Sequence, residues 1–423
     1  MTNHRISVSF CIAVICLLAC LCRGGEPDGS GAFVLPDKFF PIMCWELPPS
    51  TGEFADPGHG LTSLADCGFT TAGFVRPEHL ARCEKLGLKA LTVTQAWNTE
   101  WRKLSDQQIF DVVKKLVDET GDSKAVMGYF LTDEPSALDF PALGKAVAAV
   151  KKLAPGKLAY INLFPDYATL GAPDISQLGT GSYTEYLERF VREVKPQFIS
   201  YDNYRIQYST DLKDPALVAS YYNNLLEVRR IALKYDLPFW NIVGSNQILP
   251  GTPPPSPANL LVAAYTSLAA GAQGLTWYTY YGGGYHYGAV DKTGSRTATW
   301  SYLKMVNDQV KILGPIMRPL KSTGVYFTSP PPVKSLPALP GQLVAELTSG
   351  TPVMVGEFSG PAGEKWVMLV NLSLERTTQL KFKPRGTYAG MRSVSPVDGS
   401  LSPVEGDHSI WLTAGQGVLI KFQ

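Results

Sequence analysis

Asp133 and Glu134 stand side by side in the stretch YFLTDEPSALDFP, residues 129–141, directly after the apolar Tyr129, Phe130 and Leu131 and directly before Pro135. Neighbouring carboxylates repel each other and add nothing to a core, so two readings compete. Asp133 or Ser136 can cap the helix that the following residues predict, because a side-chain oxygen there takes up an orphan backbone N–H. Alternatively the pair does acid–base chemistry, since a like charge raises the pKa of a carboxyl and keeps a proton on it near neutral pH. Capping accounts for one acid and leaves the second unexplained, which favours chemistry.

Such a pair needs a scaffold that brings it to other polar groups. Short apolar runs rich in β-branched and aromatic residues recur at 39–45, 69–75, 89–95, 126–132, 158–164, 197–203, 238–244 and 274–281. Between them lie amphipathic stretches such as DQQIFDVVKKLVDET and YTEYLERFVREV, whose apolar positions recur three and four residues apart. Strands that alternate with helices imply a parallel sheet. Eight such units within residues 31–320 are the count of an α/β protein of the (β/α)8 TIM-barrel type. An open doubly wound sheet would want a glycine-rich first turn, which is missing. Beyond the proline-rich stretch STGVYFTSPPPVKSLPALPG come QLVAEL, PVMVGEF, KWVMLVNLS, TTQLKFK and GVLIKF, with no helical period. They predict a C-terminal all-β sandwich over residues 321–423.

In a barrel of this kind the active site is assembled at the C-terminal ends of the strands. The strand ends therefore supply the candidates: Trp45 and Glu46 from strand one, Gln95 and Trp97 from strand three, Asn162 from strand five. Asp202 and Tyr204 come from strand six, Trp240 and Asn241 from strand seven, and Trp277, Tyr278 and Tyr280 from strand eight. Amides and carboxylates bond sugar hydroxyls, and aromatic rings stack on the C–H faces of a sugar. Cleaving an acetal needs a proton donor at the leaving oxygen and a group that stabilises the oxocarbenium-like transition state. Glu134 is the expected donor with Asp133 as its partner, and Asp202 is a second catalytic carboxylate, a hydroxyl ligand or a turn residue. As a partner across the sugar, Asp202 would stand about 5 Å from Glu134 for retention or roughly 6.5–9.5 Å for inversion. Glu46 either bonds hydroxyls or pairs with Arg76, and the tryptophans are either stacking platforms or core. The glycines of YYGGGYHYG, residues 280–288, allow its tyrosines to close over a ligand, while His286 reads as solvated.

The pattern of eight strands with a carboxylate closing the fourth resembles the glycoside hydrolase barrels. Clan-A members, family-42 β-galactosidases among them, place Asn-Glu at that point, where this chain has Asp133-Glu134. They carry a nucleophile glutamate at strand seven, where FWNIVGSNQ has no acid. The Asp-Glu-Pro string more closely resembles the substrate-assisted N-acetylhexosaminidases, including the β-N-acetylgalactosaminidase-like group. That resemblance implies Glu134 as general acid and Asp133 as the residue orienting the substrate's own acetamido group. SYDNY at strand six and TWY at strand eight resemble the chitinase-like barrels, which implies an Asp/Tyr pair and a Trp lining the sugar pocket. The expected function is a secreted glycosidase acting on an oligo- or polysaccharide. The alternative is a barrel that binds carbohydrate without cleaving it, having lost the second acid.

Composition narrows the remaining classes. A net charge of +1 over 423 residues argues against a nucleic-acid partner. Only five histidines occur, and Cys44, Cys67 and Cys83 lack metal-ligand spacing, so no metal and no cofactor are expected. These cysteines read as buried thiols, with a Cys67–Cys83 bridge as the other option. Residues 1–24 have a basic start at Arg5, then an apolar stretch from Ile6 to Leu21 that is shorter than the roughly 20 residues of a membrane span. They predict a signal peptide and a secreted or periplasmic protein without a membrane span. Leu17-Leu18-Ala19-Cys20 also resembles a lipobox, which would place a lipid on Cys20 and the protein at the cell surface.

Overall fold

The computed structural model describes residues 33, 35–47, 60–93, 99–172, 174–208, 214–404 and 406–423. The expected leader with Cys20, and the candidates Gln95 and Trp97, lie outside these residues. Eight parallel strands close into a barrel in chain order: β1 (Ile42–Cys44), β2 (Thr71–Val75), β3 (Lys89–Thr92), β4 (Val126–Asp133), β5 (Leu158–Leu163), β6 (Ile199–Asp202), β7 (Phe239–Gly244) and β8 (Gly274–Tyr278). A helix follows each strand: α1 (Leu61–Asp66), α2 (Leu80–Leu86), α3 (Asp106–Thr120), α4 (Phe140–Leu153), α5 (Tyr183–Arg189), α6 (Pro215–Lys234), α7 (Pro257–Ala270) and α8 (Ala298–Met317). Among the described residues no helix is long and apolar enough to cross a membrane.

Period-two alternation decides what each strand sends to the site. In β5, Ala159, Ile161 and Leu163 face the helices, while Leu158 and Tyr160 face the barrel axis. Asn162 continues the inward row. In β6, Ile199 and Tyr201 face outward and Phe198 inward, so Ser200 and Asp202 follow it toward the axis. The lower interior is filled by aromatic rings. Trp240 packs on Phe198 at 4.8 Å between centroids, Phe74 on Phe130 at 4.2 Å, and Tyr160 touches Trp45, Phe130 and Trp240. This plug leaves the polar inward groups only the upper end of the barrel. Cys44, Cys67 and Cys83 are free and buried, with burial holding each thiol well above its usual range, so the bridge does not form.

The chain then enters two antiparallel sheets. Their strands are β9 (Lys321–Phe327), β10 (Val344–Ser349), β11 (Val353–Ser359), β12 (Lys365–Asn371), β13 (Thr378–Pro384), β14 (Met391–Val394), β15 (Leu401–Pro403), β16 (Ser409–Leu412) and β17 (Gly417–Phe422). One sheet runs β10-β13-β16 and the other β15-β14-β17-β12-β11-β9. Val355, Val367, Leu369 and Ile420 of the larger sheet meet Leu380, Phe382 and Leu412 of the smaller one in a core of their own. The larger sheet's other face, with Met354, Phe358 and Met368, joins the core of the barrel.

That second contact explains α7, which is apolar nearly all round because barrel strands cover one side and the sandwich the other. Gly356 of β11 lies so close to α7 that a Cβ there would sit 2.1 Å from the Ala269 carbonyl oxygen. Backbone cannot give way as a side chain does, so Gly356→Ala is expected to destabilise the chain by about 1–3 kcal/mol. A lowered thermal midpoint measures this, and an unchanged midpoint would mean that the sheet is not seated on α7.

Candidate active site

Helix α4 begins at Phe140 with Asp139 as its N-cap, and no side chain caps it. Asp133 and Glu134 lie a full turn and more before that point. The capping reading therefore fails on geometry.

What turns the pair into the barrel is an irregularity in β4. Phe130 sits opposite Tyr160 of β5, and the register then shifts between Phe130 and Thr132, so that Asp133 comes opposite Asn162. Strict alternation from the inward Phe130 would send Thr132 inward and Asp133 out to the helices. The bulge adds one residue and re-aims the acid, as bulges beside active sites commonly do. Glu134 then adopts a left-handed backbone with φ +44°, and its N–H donates to the Asn162 carbonyl at 2.9 Å. A non-glycine residue in that region costs on the order of 1–3 kcal/mol and persists only where the surroundings hold it. Glu46 at the end of β1 is also left-handed, with φ +62°.

Asn162 is the junction of the site. Its Nδ2 donates to Asp133 Oδ1 at 3.0 Å and to Asp202 Oδ1 at 3.1 Å. Its Oδ1 accepts from Ser200 Oγ at 3.1 Å, and Ser200 Oγ lies 2.9 Å from the Tyr160 hydroxyl. Because Ser200 spends its proton on Asn162, the Tyr160 hydroxyl must donate to Ser200. This chain sets the orientation of the amide, so that its N–H groups face both carboxylates. Asp202, held by the same amide, lies close enough to Glu134 for its charge to act on the Glu134 carboxyl.

Neighbouring buried carboxyls resist ionising together, because each negative charge disfavours the next. Asp202 is 3% exposed, and burial together with the Asp133 charge pushes its pKa up. Glu134 is half-buried, and burial, Asp202 and Asp133 push its pKa up further. Crowding raises Asp133 to about 6, helped by the Glu46 charge and opposed by the Asn162 amide. Asp133 still opens to solvent on the mouth side, so water tempers that shift. The geometry thus gives a proton-holding Glu134, a buried anion beneath it in Asp202, and an accessible carboxylate beside it in Asp133.

The other candidates divide by position. Glu46 is exposed at the mouth and makes no ion pair with Arg76. Tyr204 and Tyr278 pack with tilted rings at 5.0 Å between centroids, and the Tyr278 hydroxyl meets that of Tyr285 at 2.7 Å, so the two form a wall with the glycine-rich loop. His286 in that loop is exposed. Trp45 is 3% exposed and forms the floor rather than an open platform. Three further expectations of sugar contact are corrected, the first two by strand parity. Asn241 faces α7, where its Nδ2 donates to Ser267; Trp277 faces α8, donating to Asn307; and the Tyr280 hydroxyl donates to Ser63. Trp240 points inward but lies deep in the plug, 2% exposed. The end of β7 supplies no acid, and its Ser245 and Asn246 bond to Thr279 after β8. Ser200 escaped the sequence reading, although it lies two residues before Asp202 on the same face. Among the described residues no group of three or more His, Cys, Asp or Glu side chains is arranged to hold a metal ion.

No protein-family model matches the chain, and neither does any curated protein. Solved structures do. A family-42 β-galactosidase from G. stearothermophilus superposes with a TM-score of 0.61 at 8% identity, over 91% of this chain and 98% of that one. A glycoside hydrolase family 5 protein from Bacteroides vulgatus gives 0.57 at 12% identity, over 91% and 89%. Another structure described as a glycoside hydrolase gives 0.54 at 12%, over 91% and 92%. At such identities the likeness is one of fold: the chain has the barrel-and-sandwich architecture found in glycoside hydrolases.

Proposed function

We propose that the chain is a glycosidase in which Glu134 is the general acid and base. The observation that carries this reading is Asn162, whose amide gathers Asp133 and Asp202 and whose carbonyl holds the left-handed Glu134 beside them. Glu134 protonates the glycosidic oxygen as the bond to the anomeric carbon breaks, and Asp202 sustains the proton beforehand. Asp202 is buried and bonded to the Asn162 amide, which suits a proton partner better than a nucleophile or base across the ring. With no acid on β7, the nucleophile is best supplied by the substrate. A 2-acetamido oxygen attacks the anomeric carbon, Asp133 accepts its N–H, and Glu134 takes a proton from the water that opens the cyclic intermediate.

Chromogenic glycosides that differ only at C2 test this. The 2-acetamido sugar is expected to be cleaved at least about 100-fold faster than the 2-hydroxy sugar, and Asp133→Asn to erase most of that difference. Equal rates on both sugars would remove the substrate-assisted step and keep the glycosidase. Binding of sugars with no cleavage of any would return the chain to a carbohydrate-binding barrel.

A further inference from the structure

We propose that Trp101 and Tyr186 are positioning residues, whose buried indole N–H and phenol O–H clamp the backbone on either side of Asp133-Glu134 and thereby aim both carboxyls. The inference deepens the glycosidase reading and rests on it for its kinetic consequence, though not for its structural one.

The bulge in β4 takes Leu131 out of the regular ladder with β5. A buried carbonyl at such a point needs another partner. Trp101, from the segment between β3 and α3, supplies it: its Nε1–H donates to the Leu131 oxygen at 3.0 Å, and the indole is 2% exposed. On the other side, Glu134 leaves the strand in a left-handed conformation and Pro135 has no N–H to give. The Pro135 carbonyl accepts from the Tyr186 hydroxyl of α5 at 2.7 Å. Tyr186 is fully buried, its ring packed on Phe140 at 5.2 Å between centroids. Both donors come from outside β4 and α4. They fix two points, Leu131 and Pro135, and the acid pair hangs between them.

A purely structural role makes a different prediction from a positioning role. Phenylalanine at either site keeps an aromatic ring and deletes one donor. If the clamps aim the pair, losing one lets Glu134 drift from Asp202, and its titration falls back toward ordinary carboxylate values. Tyr183→Phe is the control: its ring stacks on Tyr186 at 6.1 Å, but its buried hydroxyl bonds the Phe164 carbonyl and not the backbone that flanks the acid pair.

The experiment follows side-chain carboxyl titrations by carbon-13 NMR in the full chain, in Trp101→Phe, in Tyr186→Phe and in Tyr183→Phe, alongside kcat and KM. Expected is a lowered Glu134 titration in the first two variants only. On a cleaved glycoside kcat falls about 10- to 100-fold in those two, with KM within about 2-fold, as small misplacements of a catalytic group cost. Glu134 titrating alike in all four proteins overturns the proposal. Two variants guard against one that does not fold, Tyr186→Phe being nearly isosteric. If the parent cleaves no glycoside, the glycosidase reading falls, and the titrations still decide whether Trp101 and Tyr186 position the pair.

Discussion

Glu134→Gln is expected to lower turnover by about 10²–10⁴-fold, the usual contribution of a positioned general acid. KM and the thermal midpoint are expected to change little. Gln keeps the shape of the side chain, and its amide can still donate to a neighbouring carboxylate. No helix cap is lost, because α4 starts beyond the pair, so the decrease of about 1 kcal/mol that follows cap removal should not appear. The loss should also depend on the leaving group. A nitrophenolate departs with little proton assistance, whereas a sugar alcohol needs the proton, so the deficit should be smallest on activated aryl glycosides and largest on natural linkages. A variant that keeps full rate on the natural-type substrate would make the pair structural. A uniform deficit on all leaving groups would keep Glu134 essential but deny it the acid role.

The barrel was legible in the sequence because its signal repeats. Eight apolar runs separated by helical periods survive local errors, and the sandwich boundary at residue 321 is also where β9 begins. The acid pair was legible too, since adjacent carboxylates after an apolar run contradict every simpler rule. Side-chain direction was not. Whether Trp240, Trp277 or Asn241 faces a sugar depends on strand parity, and a slip of one residue reverses it. In β4 the parity itself breaks at Leu131, and nothing in YFLTDEP marks a bulge. Asp202 stayed open between a second catalytic carboxylate, a hydroxyl ligand and a turn residue, because a strand-end aspartate carries no sign of its neighbours. Only the fold brings the Asn162 amide onto it and Glu134 near it. Trp101 and Tyr186 read as ordinary aromatics of amphipathic or loop segments, since a hydrogen bond to a distant carbonyl leaves no trace in spacing.

Asp202→Asn is expected to move the alkaline limb of the kcat profile toward acid by roughly 1–3 units, the span over which a single neighbouring charge acts. The limb reports loss of the proton from Glu134, whose pKa is held up by burial and then by the Asp202 charge. Asn preserves the packing, because its oxygen can still accept from Asn162 and its amide can donate to Glu134. Only the charge goes. The same change has a signature in stability. Asp202 and Glu134 both have folded-state pKa values raised above their unfolded values of about 3.9 and 4.3, so the folded protein binds more protons than the unfolded chain above about pH 4. Stability from these groups is complete below that pH and drains away as pH rises through the raised values. The parent should therefore melt at progressively lower temperature from pH 5 to pH 9, and Asp202→Asn should flatten that slope and melt higher than the parent at the alkaline end. An alkaline limb that stays in place, or that moves to higher pH, would show that Asp202 does not hold the proton on Glu134. A parent whose midpoint rises with pH over the same range would show that the pair is ionised in the folded state, with a compensating charge among the groups at the barrel mouth.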